Sequence, residues 1–187
     1  MAELIADLFI SLDGFASGTN EPPFFGLYGE DLGAWIKENL KKPQVLIMGR
    51  VTYQALAQFA STSDDELSAR MTALPKVVFS KTLQEPPVWK NARFVRASVE
   101  EEITTLKRQR SEPLRSIGSI SLVTSMIKSQ LVDRLRLMIF PVALGAAGRE
   151  FIYAAYERTS LELLDSRTLD SRITLLEYRP RKHNSLK

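Results

Sequence analysis

Small and hydroxylic residues follow three apolar stretches of the sequence, each just before a helical pattern. These turns are residues 48–52 (Met-Gly-Arg-Val-Thr), 79–82 (Phe-Ser-Lys-Thr) and 117–121 (Ile-Gly-Ser-Ile-Ser). Free backbone N–H groups and the positive end of a helix dipole make such turns anion sites, and glycine lets a phosphate approach the backbone. Arg50 adds a bidentate phosphate donor, and Lys81 adds a mobile positive charge. One such turn is ordinary in an α/β domain, but three in one sheet predict a ligand with several phosphates.

Two familiar phosphate-binding motifs are absent from the sequence. There is no Gly-x-Gly-x-x-Gly fingerprint followed by an acid, and no Gly-Lys-Ser/Thr loop ending. The pattern therefore fits neither a standard dinucleotide-binding domain nor a nucleoside triphosphatase.

Two carboxylates are candidates for contact with a ligand. Asp31 precedes Leu32 by one position and Trp35 by four in a predicted helix, which sets its carboxylate at the margin of the apolar face. A half-buried carboxylate there holds or relays a proton to a bound heterocycle, whereas the alternative is an acid that only complements the helix dipole. Asp13, followed by Gly14 at the end of the first strand, either contacts a ligand's ribose or amide or is an Asx-type turn residue.

The segment after the first strand is rich in glycine, proline and asparagine, so we expect a loop without regular structure. It carries four aromatic residues: Phe15, Phe24, Phe25 and Tyr28. Exposed aromatics on a long loop are typical of a pocket lid. Alternatively, they pack under the loop as a small satellite core.

The residue types exclude several classes of site. The 187-residue chain has no cysteine, so it has no disulfide framework, thiol nucleophile or cysteine-ligated metal site. His183, the single histidine, lies in the polar end of the sequence, and histidine triads and multi-histidine metal sites therefore lack their ligands. We expect no metal, and general acid work falls to carboxylates, tyrosines or a bound cofactor.

The net charge of +3 comes from basic residues that are mostly interleaved with acidic ones. The one basic cluster consists of Arg179, Arg181, Lys182, His183 and Lys187. This pattern argues against nucleic-acid binding.

No stretch approaches the roughly 18 apolar residues of a membrane span, and Asp7 and Asp13 interrupt the N-terminal apolar run, so we expect no membrane segment and a cytoplasmic location.

Strand and helix patterns alternate along most of the sequence. Short apolar runs predict strands at residues 4–10, 45–48, 76–79, 94–97, 114–117 and 131–140, and helical spacing predicts helices at 30–40, 52–59, 64–74 and 99–110 and after residue 119. This alternation favours a mainly parallel α/β sheet. Residues 160–164 and 173–178 are two β-type runs without a helix between them, which predicts an antiparallel hairpin. We expect one domain over residues 1–180 and a polar basic tail over 181–187.

Several motifs together resemble a known family. They are residues 11–16 (Ser-Leu-Asp-Gly-Phe-Ala), 46–53 (Leu-Ile-Met-Gly-Arg-Val-Thr-Tyr), 78–83 (Val-Phe-Ser-Lys-Thr-Leu), 118–119 (Gly-Ser), 131–137, 140–145 and 175–180. In this combination the chain resembles the dihydrofolate reductase superfamily, specifically the stand-alone proteins similar to the reductase domain of the bacterial riboflavin-biosynthesis deaminase-reductase. Because the chain has no cysteine, it does not contain the zinc deaminase domain of that bifunctional enzyme.

The resemblance implies a mixed, mostly parallel sheet flanked by helices, with NADPH lying across the strand ends. It places Gly49, Arg50 and Thr52 along the cofactor's phosphates, Ser80 and Lys81 near the ribose 2′-phosphate, Gly118 and Ser119 at the pyrophosphate, and Asp13 near cofactor or substrate. These are the positions that the anion-site argument selects independently.

The helix that carries Asp31 is similar to the dihydrofolate reductase segment whose acid grips the pterin, so the resemblance makes Asp31 the candidate catalytic acid. Phe24, Phe25, Tyr28 and Trp35 are the candidate substrate contacts. The expected activity is NADPH-dependent reduction of a small heterocyclic (pterin or pyrimidine-like) or carbonyl or imine substrate. The alternative is an NADP-binding or interaction module of the same fold without turnover. Homodimerisation, common among the similar proteins, is a further expectation.

Overall fold

A computed structural model describes residues 1–85, 87–154 and 158–181. Ten strands form within these residues: β1 Leu4–Ser11, β2 Phe15–Gly18, β3 Val45–Gly49, β4 Lys76–Phe79, β5 Ala92–Val95, β6 Leu114–Ile117, β7 Arg134–Phe140, β8 Gly148–Phe151, β9 Leu161–Leu169 and β10 Ile173–Pro180. The helices are α1 Glu30–Lys41, α2 Arg50–Thr62, α3 Glu66–Ala73, α4 Val99–Gln109 and α5 Ile120–Lys128.

Eight strands form one mixed sheet in the order β5-β4-β3-β6-β1-β7-β10-β9. The six strands from β5 to β7 pair in parallel, whereas β10 is antiparallel to both β7 and β9. The predicted mostly parallel sheet with a C-terminal antiparallel hairpin is therefore confirmed. Since the strands are parallel, the carboxyl ends of β4, β3 and β6 lie side by side at one edge.

Helices cover both faces of the sheet, which explains why its strands are nearly continuous apolar runs. In β3, Val45 and Ile47 pack into the core beneath α4 and α5, whereas Leu46 and Met48 pack with residues of α1, α2 and α3. A third apolar cluster lies between the start of α1, the end of β7 and the start of β10, around Phe140. With both faces buried, the sheet is a rigid platform for the turns at its edge.

The loop predicted after β1 contains regular structure. Strand β2 pairs antiparallel with β8 in a small second sheet, and residues Pro23–Gly26 form a 3-10 turn. The expectation of an irregular loop was wrong here because β2 gains its hydrogen bonds from a strand about 130 residues away.

His183 and the rest of residues 182–187 lie outside the described residues. Among the described helices, none combines the length and the hydropathy of a membrane span.

Candidate functional site

The three predicted anion-binding turns lie next to one another at the carboxyl edge of the sheet. β4, β3 and β6 are neighbours, and each ends at one of the turns. Helix α2 begins directly after Gly49, and α5 begins directly after Ser119. The expected helix after residues 79–82 was wrong, because the Ser80 hydroxyl bonds the following N–H groups and the described residues between β4 and β5 contain no helix. The sheet therefore brings the candidate residues together along one rim, as the sequence predicted.

Two of the turns are bonded to each other through the hydroxyl of Ser119. Its Oγ accepts a hydrogen bond from the backbone N–H of Gly49 at 2.8 Å and lies 2.7 Å from Oγ1 of Thr52. A Cβ on Gly49 would lie only 3.2 Å from this Oγ, so a larger residue would push the turns apart. We call this bridge between Gly49, Thr52 and Ser119 the serine latch.

The backbone at Gly118 and Ser119 is left-handed, with φ of 64° and 62°. Glycine adopts this conformation freely, but for serine it costs about 1–2 kcal/mol. The conformation is held by the latch on one side and, on the other, by the Gly118 N–H, which donates to the carbonyl of Asp7 at 3.2 Å.

The helices that start at this rim have N-termini without a side-chain cap. The first N–H groups of α3 and α4 are capped by Asp65 and Ser98, and those of α1 bond to the carboxylate of Asp170. Neither α2 nor α5 has a side-chain cap bond. Two helix dipoles with free N–H groups therefore end at the same edge, which is an arrangement that favours a bound anion.

Two cations lie beside these helix ends. Arg50, exposed in the first turn of α2, uses one guanidinium nitrogen to bond Gln54 at 3.1 Å. Lys81 is exposed and makes no hydrogen bond or ion pair with other described residues. Ser80, in contrast, has its Oγ occupied by the backbone N–H groups of Thr82 and Leu83 at 3.2 and 3.1 Å. Arg50 and Lys81 are thus available to an anionic ligand, while the Ser80 hydroxyl holds the turn.

Asp13 holds the loop after β7 against the end of β1. Its carboxylate accepts hydrogen bonds from Ser11 Oγ at 2.6 Å and from the backbone N–H groups of Leu144 and Gly145 at 2.9 and 2.8 Å. These bonds lower the pKa of the Asp13 carboxyl to about 2. The backbone partners of this carboxylate are 131 and 132 residues away, so it makes a long-range contact and not the local bond of an Asx-type turn; its contact with a ligand stays a prediction.

Asp31 does not have the half-buried environment expected from its spacing. It is exposed in the first turn of α1. Its Oδ2 accepts from the backbone N–H of Asp170 at 2.8 Å, and its own N–H donates to the Asp170 carboxylate at 2.8 Å. The expected burial was wrong because the turn between β9 and β10, 139 residues away, binds this end of α1.

The predicted aromatic lid divides into core and surface residues. Phe25 is 9% exposed and packs on Phe140 at 5.3 Å between ring centroids, so it is a core residue and not part of a lid. Phe24 is half-buried between Phe9 and Tyr28, at 5.2 and 5.3 Å. Tyr28 is 48% exposed.

Glycine makes the position of Tyr28 possible, because a Cβ on Gly33 of α1 would lie 2.8 Å from the tyrosine hydroxyl. Phe24 and Tyr28 therefore lie against the start of α1, where they can contact a ligand. Phe15, the fourth aromatic of this segment, packs on Phe151 at 5.3 Å in the small sheet.

A buried ion pair that the sequence analysis did not select lies beneath Trp35. Asp7 is fully buried in β1 and accepts a hydrogen bond from Nε of Arg115 in β6. The guanidinium groups of Arg115 and Arg136 lie 5.3 and 5.6 Å from the ring centroid of Trp35. Among the described residues Asp7 Oδ1 and Arg115 Nη1 have no hydrogen-bond partner although both are buried, and Asp7 Oδ1 lies 3.8 Å from Nη1 of Arg136. The sequence did contain a signal for this pair, because Asp7 and Arg115 each place a charge inside a predicted buried strand.

Comparisons with known proteins agree with this architecture. The chain is 29% identical over 180 residues to the uncharacterised protein YyaP of Bacillus subtilis (strain 168), an alignment that spans 94% of this chain and 93% of that one. A putative riboflavin biosynthesis protein from Shewanella sp. PV-4 shares the fold with a TM-score of 0.71 and 21% identity, over 97% of this chain and 100% of that one.

A further structural match is the diaminohydroxyphosphoribosylaminopyrimidine deaminase/5-amino-6-(5-phosphoribosylamino)uracil reductase of Thermotoga maritima, with a TM-score of 0.68 and 14% identity. The match covers 96% of this chain but 57% of that protein. The model of the RibD C-terminal domain family matches residues 2–175. With the turns, the strand order and this match in agreement, the chain belongs to the RibD C-terminal domain family.

Proposed function

We propose that this protein is an NADPH-dependent reductase of a small heterocyclic, carbonyl or imine substrate. The observation that carries the proposal is the rim itself, where two helices without side-chain caps begin at glycine-containing turns beside two available cations. Membership of the RibD C-terminal domain family, together with the structural match to a deaminase/reductase, supports the same reaction class.

The residues of the rim fit the phosphates of a dinucleotide. Gly49 and Gly118 leave the backbone free of side chains, and the first N–H groups of α2 and α5 supply donors for a pyrophosphate. Arg50 and Lys81 supply the positive charge that a ribose 2′-phosphate requires. When bound, the cofactor supplies the hydride, and the protein binds and orients it.

The substrate side lies between α1 and the sheet. Trp35, Phe24 and Tyr28 provide aromatic surface for a planar ring, and the buried pair of Asp7 and Arg115 lies beneath Trp35. We propose that the three aromatic side chains contact the substrate and that the buried pair holds Trp35 in place. Asp31 or an ordered water delivers the proton, with Asp31 acting in its protonated form through Oδ1, since Oδ2 accepts from the backbone N–H of Asp170.

Turnover tests this proposal most simply. Purified protein is mixed with NADPH and a panel of pterins, pyrimidines, carbonyl compounds and imines, and loss of the reduced nicotinamide absorbance is followed. We expect substrate-dependent oxidation by at least one compound. In the variant Asp31→Asn, unchanged turnover would dismiss Asp31 as the proton donor, whereas loss of turnover with normal NADPH binding would support it.

A second candidate function is an NADP-binding module without turnover. The exposed state of the Asp31 carboxylate and its bond to the Asp170 N–H favour it, because a solvent-facing carboxylate held to the C-terminal hairpin is not directed at a ring beside Trp35. This candidate predicts tight NADPH binding with no oxidation by any member of the panel.

We further propose that the protein forms a homodimer through β9. This strand is the last of the large sheet, and it exposes Leu161 and Leu163 at 40% and 54%. An edge strand with exposed apolar side chains is a template for pairing with a second copy. Light scattering after gel filtration tests this, and Leu163→Asp should convert the dimer to a monomer.

A further inference from the structure

A cleft lies at the amino ends of the parallel strands. The rim with the three turns, called the cofactor rim from here on, lies at their carboxyl ends. The cleft is bounded by the start of β1, the segment that leads into β7, the ends of α4 and α5, and the end of β10, and it has a volume of about 800 Å³. This size is within the roughly 300–1,000 Å³ of small-molecule sites. We call it the basic cleft, because five of its lining side chains are basic: Lys107, Lys128, Arg158, Arg179 and Arg181.

The basic side chains exceed what the local acids neutralise. The cleft contains two acidic side chains, and both already have partners: Glu3 bonds Arg134 at 2.7 Å, and Asp133 pairs with Lys107. Arg179 is paired with Glu162, an acid outside the cleft lining, at 3.2 Å.

Two cations of the cleft remain available. Lys128 and Arg181 are exposed, and neither makes a hydrogen bond or ion pair through its side chain with the residues that the structure describes.

The cations come from separate parts of the chain. Lys107 is in the last turn of α4, Lys128 ends α5, and Arg179 lies in β10. Like charges repel one another, and a concave surface of one sign concentrates its field on an incoming counter-ion. The folding of three distant elements into one positive cleft therefore favours an anionic ligand. Arg179 and Arg181, the two described members of the basic cluster noted in the sequence, both line this cleft.

Part of the cleft lining is apolar. Ala2, Ile127 and Val132 are buried at 2%, 8% and 6% exposure and line the cleft with Pro180. A ligand that matches this lining has a charged part and a less polar part of modest size.

We propose that the basic cleft binds a small polyanion that carries two or more phosphate groups, with Lys128 and Arg181 as its principal charged contacts. This second site lies at the amino ends of the parallel strands, whereas the cofactor rim lies at their carboxyl ends. The inference stands on the cleft's own residues and does not depend on reductase activity.

Titration calorimetry with inorganic tripolyphosphate tests the proposal at about 150 mM salt, where weak surface attraction is largely screened. The test variant is Lys128→Gln/Arg181→Gln. The matched control is Lys37→Gln/Lys90→Gln, which removes the same charge from exposed lysines outside the cleft. We expect the test variant to weaken binding on the order of 10-fold or more and the control to bind as the native protein does.

Amide chemical shifts locate the bound probe in the same samples. The proposal predicts shifts at Gln130 and Val132, and their loss in the test variant. Absence of tripolyphosphate binding, or equal binding by the test variant and the native protein, would overturn it.

A third variant, Arg50→Ala, separates this site from the cofactor rim. If Arg50→Ala abolishes binding while the test variant retains it, the phosphate site is the rim, and the inference fails while the proposed function stands. If only the test variant loses binding, the inference holds whatever NADPH titrations show.

Discussion

Replacing Ser119 tests how the two phosphate-facing turns are held together. In Ser119→Ala the backbone N–H of Gly49 and the hydroxyl of Thr52 lose their shared partner, while residue 119 keeps its unfavourable left-handed conformation. In Ser119→Gly the same bonds are lost, but the backbone strain disappears. The pair of variants thus separates the contribution of the hydroxyl from that of the conformation.

The expected magnitudes follow from these contacts. Leaving a partly buried N–H without a partner costs about 1–3 kcal/mol, so Ser119→Ala should destabilise the protein by about 2 kcal/mol. Relief of about 1–2 kcal/mol of left-handed strain exceeds the extra unfolded-state entropy of glycine, about 0.5–1 kcal/mol. Ser119→Gly should therefore lose about 1 kcal/mol less. For a chain of this size, 1 kcal/mol corresponds to about 2–4 °C in Tm.

Urea and thermal unfolding of both variants measure these differences. Ser121→Ala is the matched control, because Ser121 is exposed in the first turn of α5 and makes no side-chain hydrogen bond with described residues; it should change stability by less than about 0.5 kcal/mol. If Ser119→Ala is as stable as the native protein, or more stable than Ser119→Gly, the latch does not hold the turns as argued.

Three other predictions concern groups whose environments are equally specific. Lys76 is buried, and burial lowers its pKa to about 8. Because the unfolded chain then binds more protons between pH 8 and about 10.4, the stability of the native protein relative to Lys76→Met should rise over that range in urea titrations. Its stability relative to the control Lys90→Met, at an exposed lysine, should show no such rise. Asp13 has a pKa of about 2, so the stability advantage of the native protein over Asp13→Asn should be complete above pH 4 and should decline as the pH falls towards 2. A stability difference that does not depend on pH would contradict the role of Asp13 in holding the loop. Asp170→Ala removes the side chain that caps α1 and should cost about 1 kcal/mol of stability in urea unfolding. This loss should exceed that of Asp31→Ala, which leaves the capped N–H groups bonded. A smaller loss in Asp170→Ala than in Asp31→Ala would contradict the capping role of Asp170.

The sequence predicts most of the large sheet because its strands are buried on both faces. Residues 45–48 and 77–79 are continuous apolar stretches that end at turn residues, and the structure has strands at those positions. The rim followed from them, because parallel strands place their carboxyl ends at one edge.

The remaining features depend on contacts between distant residues. The pairing of β2 with β8, the bonds of Asp13 to Leu144 and those of Asp31 to Asp170 all join residues more than 120 positions apart. Local periodicity carries no information on such partners. For Asp31, spacing alone predicted a half-buried side chain, whereas a turn from the C-terminal hairpin determines its actual environment.

The buried pair of Asp7 and Arg115 also could not be predicted from local sequence alone. Each residue looks anomalous within an apolar strand, and only the register of β1 beside β6 makes them partners. A charge inside one predicted buried strand, with an opposite charge inside another, is a signal that merits a search for such a pair.

Calorimetric titration with NADPH and NADH tests the central claim, that the rim binds the phosphates of NADPH, most directly. The account predicts that NADPH binds at least about 10-fold more tightly than NADH, and that Arg50→Ala/Lys81→Ala brings NADPH down to the affinity of NADH, since a charged phosphate contact contributes about 1.5–3 kcal/mol. Failure of the native protein to bind either nucleotide, or equal affinities that the substitutions leave unchanged, would contradict it.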